Sequence, residues 1–164
     1  MSDITYIKVA GKWNYLTTII DLADRKLLSW TLSQNMTTEN TIYKTWIKAR
    51  NQRKITDNHI FHSDRGVQYA SNQMTSLLCK NNKITQSMSR KGNCWDNAVA
   101  ESFFKTLKYE CTNRYSFKSV LEAQLIIKDY IQWYNHKRLH SSLNYKTPVE
   151  KELEIRANNL KNVA

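Results

Sequence analysis

The alternation of apolar and polar residues in the first third of the chain predicts three β-strands. Residues 3–9 alternate between the two classes, as in a strand that is buried on one face. Residues 15–20 are apolar and β-branched, which is typical of a central strand, and residues 26–32 have a similar character. Both connections are short, and Gly11 marks the first one as a turn. We therefore expect an antiparallel meander.

Helical and strand patterns alternate in the rest of the chain. We expect helices at residues 38–53, 71–80, 95–110 and 119–135, and strands at residues 59–62 and 83–86. Ser119 and Glu122 have the spacing of a capping box at the start of the last of these helices. The final thirty or so residues are polar and predict irregular or partly helical structure. This order of elements predicts an α/β domain with a mixed five-stranded sheet flanked by helices.

The charge of the chain indicates a polyanionic partner. Twenty-five Lys and Arg residues against fourteen Asp and Glu residues give a net charge of +11. Nucleic acid is the simplest partner for such a surface, although a merely basic protein would have the same composition. Within residues 1–100 there are fourteen basic and seven acidic residues, so each acidic residue there needs a reason.

Composition also excludes several classes of protein. With three glycines, the chain has neither a phosphate-binding Walker loop nor the glycine fingerprint of dinucleotide-binding enzymes. No apolar run approaches the roughly 18 residues of a membrane span, so we expect no membrane association. The three cysteines are widely spaced and odd in number, which favours reduced thiols in the cytoplasm.

Three acidic residues could form a site for metal-dependent chemistry. Asp3 lies in the first strand, Asp64 follows the fourth strand, and Glu101 lies in the helix at 95–110. Three carboxylates brought together repel one another unless a cation joins them, and Mg²⁺ or Mn²⁺ prefers such oxygen ligands. Two ions of this kind can promote the cleavage of a phosphodiester. Taken singly, Asp3 could instead be a frayed terminal residue, and Asp64 could cap a turn.

The helix at 95–110 has two distinct faces at 100° per residue. Its apolar face carries Val99, Phe103 and Leu107. Its opposite face carries Glu101 together with three polar or basic residues, Asn97, Lys105 and Lys108. The simple alternative is a solvated face on which Glu101 and Lys105 form an i,i+4 ion pair.

Three longer sequence blocks resemble a known protein family. These blocks lie at residues 62–69, 87–108 and 133–140, and the segments 3–7 and 20–25 also fit. Together they resemble the catalytic core of bacterial insertion-sequence transposases of family three, which are similar to retroviral integrases. The resemblance runs from Asp3 to about Val149, in the order expected for the family.

The resemblance implies a ribonuclease H-like fold and a catalytic triad of Asp3, Asp64 and Glu101 that binds two Mg²⁺ ions, for which Mn²⁺ could substitute. It implies hydrolysis of a phosphodiester at each transposon end, followed by attack of the freed 3′-hydroxyl on another phosphodiester. The residues expected to contact DNA are Lys105, Lys108, Arg90, Lys91, Asn97, Arg138 and His140. The family usually has one residue fewer between Asp64 and Glu101, and we place the additional residue in the segment 80–83.

The resemblance also sets expectations for domains and partners. We expect a catalytic core at residues 1–149 and a C-terminal tail at 150–164. Family members carry a helix-turn-helix region before the core, whereas two residues precede Asp3 here. The chain is then a fragment, or a separate helix-turn-helix polypeptide recognises the transposon ends. We expect DNA as partner, a homo-multimer on that DNA, and a bacterial cytoplasmic, nucleoid-associated location. The alternatives are an inactive, truncated DNA-binding remnant and a ribonuclease H-like nuclease.

Overall fold

The computed structural model describes residues 1–80, 84–91 and 94–161 of the chain. Their strands and α-helices follow in the order β1 (Ser2–Val9), β2 (Lys12–Ile20), β3 (Leu27–Ser33), α1 (Lys44–Gln52), β4 (His59–Ser63), α2 (Asn72–Cys79), β5 (Ile84–Met88), α3 (Ala98–Glu110), α4 (Val120–His136) and α5 (Pro148–Lys161). None of the helices formed by these residues is long and apolar enough to cross a membrane.

The five strands form one mixed sheet in the order β3-β2-β1-β4-β5. Strands β1, β2 and β3 are antiparallel neighbours, which confirms the predicted meander. Strand β4 runs parallel to both β1 and β5. All eight residues of β1 pair with β2, but β1 and β4 share a single pair, Ser2 with Ser63.

Helices cover both faces of the sheet, and each face has its own apolar core. On one face, α3 and α4 pack against the sheet through buried residues that include Phe103, Leu107 and Ile127. On the other face, α1 and α2 do so through residues that include Trp46 and Met74. Because successive residues of a strand point to opposite faces, the alternation in β1 supplies both cores at once.

Several boundaries differ from those predicted. A π-helical turn at Glu39–Tyr43 precedes α1, and a 3-10 turn at Cys94–Asn97 precedes α3, which begins at Ala98. Strand β5 continues to Met88 because all five of its residues pair with β4. The expected start of this strand at residue 83 and the additional residue placed in 80–83 involve positions outside the described residues.

Helix caps explain where α4 and α5 begin. Ser119 Oγ accepts a hydrogen bond from the Glu122 amide at 3.1 Å, as the capping box predicts. The Glu122 carboxylate, however, accepts from the amide of Lys118 at 2.6 Å and not from that of Ser119. A second, reciprocal box, which was not predicted from the sequence, joins Thr147 and Glu150 at the start of α5.

Helix α5 belongs to the folded unit. Its residue Glu152 is buried and accepts hydrogen bonds from Lys26 at 2.5 Å and from Arg53 at 3.0 Å. Arg53 also bonds Asp21 and Asp24, so a network of charges ties α5 to α1 and to the turn after β2. The boundary expected between residues 149 and 150 therefore lies inside a helix.

Asn135 joins α4 to the edge strand β3. Its Oδ1 accepts from the Leu27 amide, and its Nδ2 donates to the Leu27 carbonyl, both at 3.0 Å. The side chain is buried, so these bonds satisfy backbone groups that water cannot reach easily.

We predict that Asn135→Ala lowers the free energy of unfolding by about 2–3 kcal/mol, because it leaves the amide and carbonyl of Leu27 without their partners. The thermal midpoint should fall by about 5–10 °C in differential scanning calorimetry. The control is Gln132→Ala on the exposed side of the same helix, which should change the stability by less than about 0.5 kcal/mol. Equal effects of the two variants would contradict the role given to Asn135.

Candidate active site

Backbone pairing sets two of the three predicted acidic residues next to each other. Ser2 pairs with Ser63 in the parallel strands β1 and β4. The next residues along the chain, Asp3 and Asp64, therefore lie side by side. On its other side Asp3 pairs with Thr18 of β2, so the residue lies in the interior of the sheet and is not frayed. The strand pairing, and not a loop, therefore holds the position of Asp3.

The carboxylate of Asp3 is buried, with a relative exposure of 9%. Its Oδ1 accepts from the Ile4 amide at 2.7 Å, and its Oδ2 accepts from Asn97 Nδ2 at 2.8 Å. Burial raises the pKa of Asp3 to about 6, and the negative charges of Asp64 and Glu101 add to this rise, while the two hydrogen bonds oppose it. Asp64 and Glu101 therefore both lie within electrostatic reach of Asp3.

Asp64 begins the turn that follows β4. Its Oδ1 accepts from the Gly66 amide at 2.9 Å, so the predicted turn-forming role is present as well. A Cβ atom at position 66 would lie 3.0 Å from this same oxygen. Glycine at 66 thus allows the backbone to approach the Asp64 carboxylate closely.

Glu101 approaches from the first turn of α3, with its side chain exposed. In the described parts of the chain, no three Asp, Glu, His or Cys side chains are arranged closely enough to hold a metal ion as they stand. The strand pairing fixes Asp3 and Asp64, whereas an exposed Glu101 can still change its rotamer.

The residues around Asp3 fit a hard divalent cation in their chemistry. Carboxylate oxygens are the ligands that Mg²⁺ prefers, and the mutual repulsion of three carboxylates favours any cation between them. In addition, Asn97 Oδ1 is buried and has no hydrogen-bond partner among the described residues. A buried oxygen without a partner is costly, so a polar or cationic ligand near Asp3 would relieve it.

The start of β1 is held by a pair of residues that were not predicted to interact. Ser2 Oγ lies 3.0 Å from the hydroxyl of Tyr69 and donates to the Thr18 carbonyl at 2.9 Å. Burial raises the pKa of Tyr69 well above its usual range, so the phenol stays neutral beside Asp3 and Asp64. No motif in the sequence links Ser2 to Tyr69, because the fold alone joins them.

Asn97 makes a contact with β1 that was not predicted. It was expected on the Glu101 face of the helix and in contact with DNA, but it lies in the 3-10 turn before α3 and donates to Asp3. Contact with DNA therefore stays a prediction for this residue.

The predicted basic residues differ in how far their charges are already paired. Lys105 is exposed and Lys108 half-exposed on α3, and neither has an ion-pair partner within the residues that the structure describes. Lys91 is exposed. Arg90, in contrast, forms a bidentate ion pair with Asp96, in which its Nε and Nη2 each donate to a carboxylate oxygen at 3.1 Å. Its side chain nevertheless remains 75% exposed.

Arg138 and His140 form a brace against the core. The Arg138 guanidinium bonds both carboxylate oxygens of Glu110 at 2.9–3.1 Å. The His140 ring packs edge-on against Tyr134 at 4.8 Å. Burial, followed by the charge of Arg138, lowers the pKa of His140 to about 4. The imidazole is therefore neutral at pH 7 and adds no positive charge for a phosphate.

Arg138 and His140 line a cavity beside α3, together with a basic residue that was not predicted to belong to the site. Arg25 lies in the turn before β3 with a left-handed backbone (φ 61°) and faces this cavity, as do Ser102 and Thr106 of α3. A turn arginine has no sequence pattern that would assign it to a site, so its place here depends on the fold.

Comparisons with known families and proteins gave several matches. Two family profiles, both described as integrase core domain, match the chain at residues 1–94 and at residues 82–148. The transposase for insertion sequence element IS904 of Lactococcus lactis is 39% identical over 153 residues, which are 93% of this chain and 60% of that protein. Transposase InsF for insertion sequence IS3A of Escherichia coli is 39% identical over 140 residues, which are 85% of this chain and 48% of that protein. The chain thus spans about half to three fifths of the length of these relatives.

Two solved integrase structures have a similar fold. The HTLV-2 integrase catalytic core domain, solved in complex with magnesium in a trimeric form, superposes with a TM-score of 0.69 at 16% identity and 91% coverage of each chain. The catalytic core domain of BIV integrase has a TM-score of 0.66 at 14% identity and 97% coverage of each chain. These likenesses confirm the predicted ribonuclease H-like fold.

We predict that Asp3→Asn stabilises the metal-free protein at neutral pH by about 1–3 kcal/mol. The raised pKa means that folded Asp3 binds a proton more tightly than unfolded Asp3. Its ionisation therefore destabilises the fold increasingly as the pH rises from about 4 through 6. The neutral amide removes this penalty, and a flip of the Asn97 amide would let Asn97 Oδ1 accept a hydrogen bond from the new Nδ2.

Thermal unfolding with EDTA should show a higher midpoint for the variant at pH 7.5 and a much smaller difference at pH 4. Asp129→Asn, which alters an exposed carboxylate on α4, is the matched control and should have little effect at either pH. A variant Asp3→Asn that is less stable than the parent at pH 7.5 would contradict the electrostatic account of this site.

Proposed function

The chain belongs to the integrase core domain family, in the form found in family-three insertion-sequence transposases, and we propose that it catalyses the DNA strand cleavage and joining of transposition. It would hydrolyse the phosphodiester at a transposon end and then transfer the freed 3′-hydroxyl to target DNA. One observation supports this most: Asp3 and Asp64 are neighbours across paired strands, with Glu101 within electrostatic reach.

The proposed catalytic residues are Asp3, Asp64 and Glu101, which would also hold two Mg²⁺ or Mn²⁺ ions. Bound there, such ions would activate a hydroxyl nucleophile and stabilise the oxygen that leaves the phosphorus atom. The chain's own groups would keep the carboxylates in place. Asn97 holds Asp3 through a hydrogen bond, and the Gly66 amide holds Asp64 in the same way.

Basic residues near the acidic cluster would bind the DNA backbone. Lys105 and Lys108 lie on the same helix as Glu101, and an unpaired lysine can approach a phosphate without giving up another ion pair. Lys91 and Arg90 lie on the segment that leads to α3, where Arg90 could exchange Asp96 for a phosphate. Arg138 and His140 remain predicted DNA contacts, and each also braces the fold, because the first is bound to Glu110 and the second packs against Tyr134.

The proposed partners are transposon-end and target DNA, and a homo-multimer of this chain on that DNA, since two ends must meet. We propose that residues 1–149 act as the catalytic core, with helix α5 completing the fold. A helix-turn-helix region, in the same or a separate polypeptide, would recognise the ends. The cytoplasm of a bacterium, at the nucleoid, is the corresponding location.

We predict that Asp64→Asn abolishes Mg²⁺-dependent nicking of DNA that carries the ends of the element, because the amide cannot supply the charge that a divalent ion requires. The measurement is strand cleavage on a denaturing gel, with Asp129→Asn as the control that should cut like the parent. Nicking by Asp64→Asn at the parental rate would contradict the metal mechanism.

The same assay separates the alternatives. A parent chain that binds duplex DNA but never cuts it with Mg²⁺ or Mn²⁺ would favour a DNA-binding remnant. Preferential cutting of an RNA–DNA hybrid would favour a nuclease. Either result would overturn the proposed strand transfer.

We also predict that DNA binding weakens as the salt concentration rises. Lys105→Ala and Lys108→Ala should each make the plot of log K against log[salt] less steep. The slope should fall by about 0.9 for every phosphate that the lysine neutralises in the parent. The control is Lys12→Ala, because Lys12 pairs with Val9 at the far end of β1 from Asp3. Fluorescence anisotropy at several salt concentrations gives these slopes. Equal slopes for all three variants and the parent would contradict a binding surface on α3.

A further inference from the structure

Three aromatic side chains lie together on a part of the sheet that no helix covers. Tyr6 of β1 and Tyr15 of β2 are cross-strand partners, and Trp13 is the partner of the next residue on that face, Lys8. The Tyr6 ring meets both neighbours edge-on, with its centroid 6.3 Å from that of Trp13 and 5.4 Å from that of Tyr15. Tyr6 is 48% exposed and Trp13 is 60% exposed. We call Tyr6, Trp13 and Tyr15 the aromatic platform.

The strand register explains why helices leave this platform open. Ile4 packs in the core beneath α1 and α2. Its row of the sheet ends at Thr31 of β3, whose Oγ1 lies 2.6 Å from Thr45 Oγ1 of α1. Since alternate residues of a strand share a face, Tyr6 and Lys8 follow Ile4 on the same face, two and four residues further along. The sheet thus extends past its helical cover, and its open rows carry aromatic rings.

The composition of this open surface favours a nucleic acid as its ligand. Single exposed apolar residues are common, but a contiguous exposed patch usually marks a binding surface. The apolar side chains of this patch are aromatic and not aliphatic. Aromatic rings on an open sheet face stack the unpaired bases of single strands in RNA recognition motifs. The π-face of a base is therefore a chemically suitable partner for the platform.

The charges beside the platform suit a phosphate backbone. Lys8 is exposed, with its Nζ 6.0 Å from the centroid of the indole ring. On the other side of the platform, Ser33, which is the partner of Tyr15, borders a groove that Lys44 of α1 also lines. The only acidic residue of strands β1, β2 and β3 is Asp3, and strand alternation places it on the opposite face. The strands therefore offer no carboxylate that would repel a phosphate from the platform.

The arrangement of the rings favours unpaired bases over a duplex. Successive bases of a duplex strand are about 3.4 Å apart and cover one another's faces. The rings of Tyr6 and Trp13 are 6.3 Å apart and inclined by 84°, so each ring offers its surface to a different base. A single strand whose bases are splayed apart meets this requirement.

From this geometry we propose that the aromatic platform binds single-stranded DNA, with one base stacked on Trp13, another on Tyr6, and the phosphates near Lys8 and Lys44. The choice of DNA over RNA rests on the proposed function. The site itself goes beyond that function, because it lies on the face of the sheet opposite to Asp3 and requires neither metal nor cleavage. Stacking accepts every base, so binding should depend little on the base sequence.

An abasic oligonucleotide tests the contribution of the bases. Fluorescence anisotropy in EDTA compares a thymidine strand of about ten nucleotides with an abasic strand of equal length. The two strands carry the same phosphate charge, so binding through the backbone alone would give equal affinities and overturn the proposal. We expect the thymidine strand to bind at least about fivefold more tightly. A uridine RNA strand that binds more tightly than the thymidine strand would overturn DNA as the ligand.

Two substitutions of Trp13 separate base stacking from general apolar contact. Trp13→Phe keeps an aromatic face and should retain most of the preference for the thymidine strand. Trp13→Leu keeps an apolar side chain without such a face. It should weaken binding of the thymidine strand by about fivefold or more and leave binding of the abasic strand unchanged. The matched control is Tyr145→Leu, which removes an aromatic ring that is 73% exposed between α4 and α5, and it should bind like the parent.

Cross-linking gives a measurement on the unaltered chain. Irradiation of a strand that contains iodouracil joins the base to the side chain beside it, and mass spectrometry identifies the peptide. We expect cross-links at Trp13 or Tyr6. Cross-links confined to α3, or a Trp13→Leu variant that binds the thymidine strand like the parent, would overturn the platform. A Trp13→Leu variant whose mass in sedimentation equilibrium falls, with unchanged affinity for the thymidine strand, would show a protein interface instead.

The outcome of these experiments is distinct from that of the proposed catalytic function. Binding is measured in EDTA, where no divalent ion can support cleavage. A chain that never cuts DNA can therefore still show the platform, and a chain without a functional platform can still nick transposon ends.

Discussion

The candidate site depends on one backbone pairing, between Ser2 of β1 and Ser63 of β4. This pair joins the antiparallel meander to the parallel half of the sheet, and it brings Asp3 and Asp64 to adjacent positions. The hydrogen bond between Ser2 and Tyr69 supports the same point from the α2 side. Since β1 and β4 share no other pair, the geometry of the two carboxylates rests on a short contact in the middle of the sheet.

The environment of Asp3 favours function over stability. A carboxylate that is 9% exposed and close to two others is costly when ionised, and its raised pKa is the measure of that cost. Asn97 and the Ile4 amide offset part of it through hydrogen bonds. Such an arrangement contributes little to folding, but it provides the concentration of negative charge that a divalent cation would neutralise. Ionisable groups whose pKa is shifted by burial and by neighbouring charges are more common at functional sites than elsewhere.

The sequence predicted the sheet better than the site. Alternation in β1 and the apolar runs of β2 and β3 determine the meander, and the acidic residues were identifiable because Asp and Glu are scarce before position 101. The contacts that hold those residues could not be predicted in this way. Asn97 bonds Asp3 across a sequence separation of 94 residues, and Arg25, Tyr69 and Trp46 have contacts that arise from packing between distant segments. Such contacts have no local sequence pattern.

We propose that strand pairing makes Asp3 and Asp64 a site for a divalent cation. A titration of the ¹⁵N-labelled protein with Mn²⁺, followed by paramagnetic broadening of its amide signals, tests this claim most directly. The amide signals of Asp3, Ile4 and Asp64 should broaden first, at the lowest Mn²⁺ concentration, and excess Mg²⁺ should restore them. Broadening that begins elsewhere, or that spreads evenly over the acidic surface residues, would contradict it.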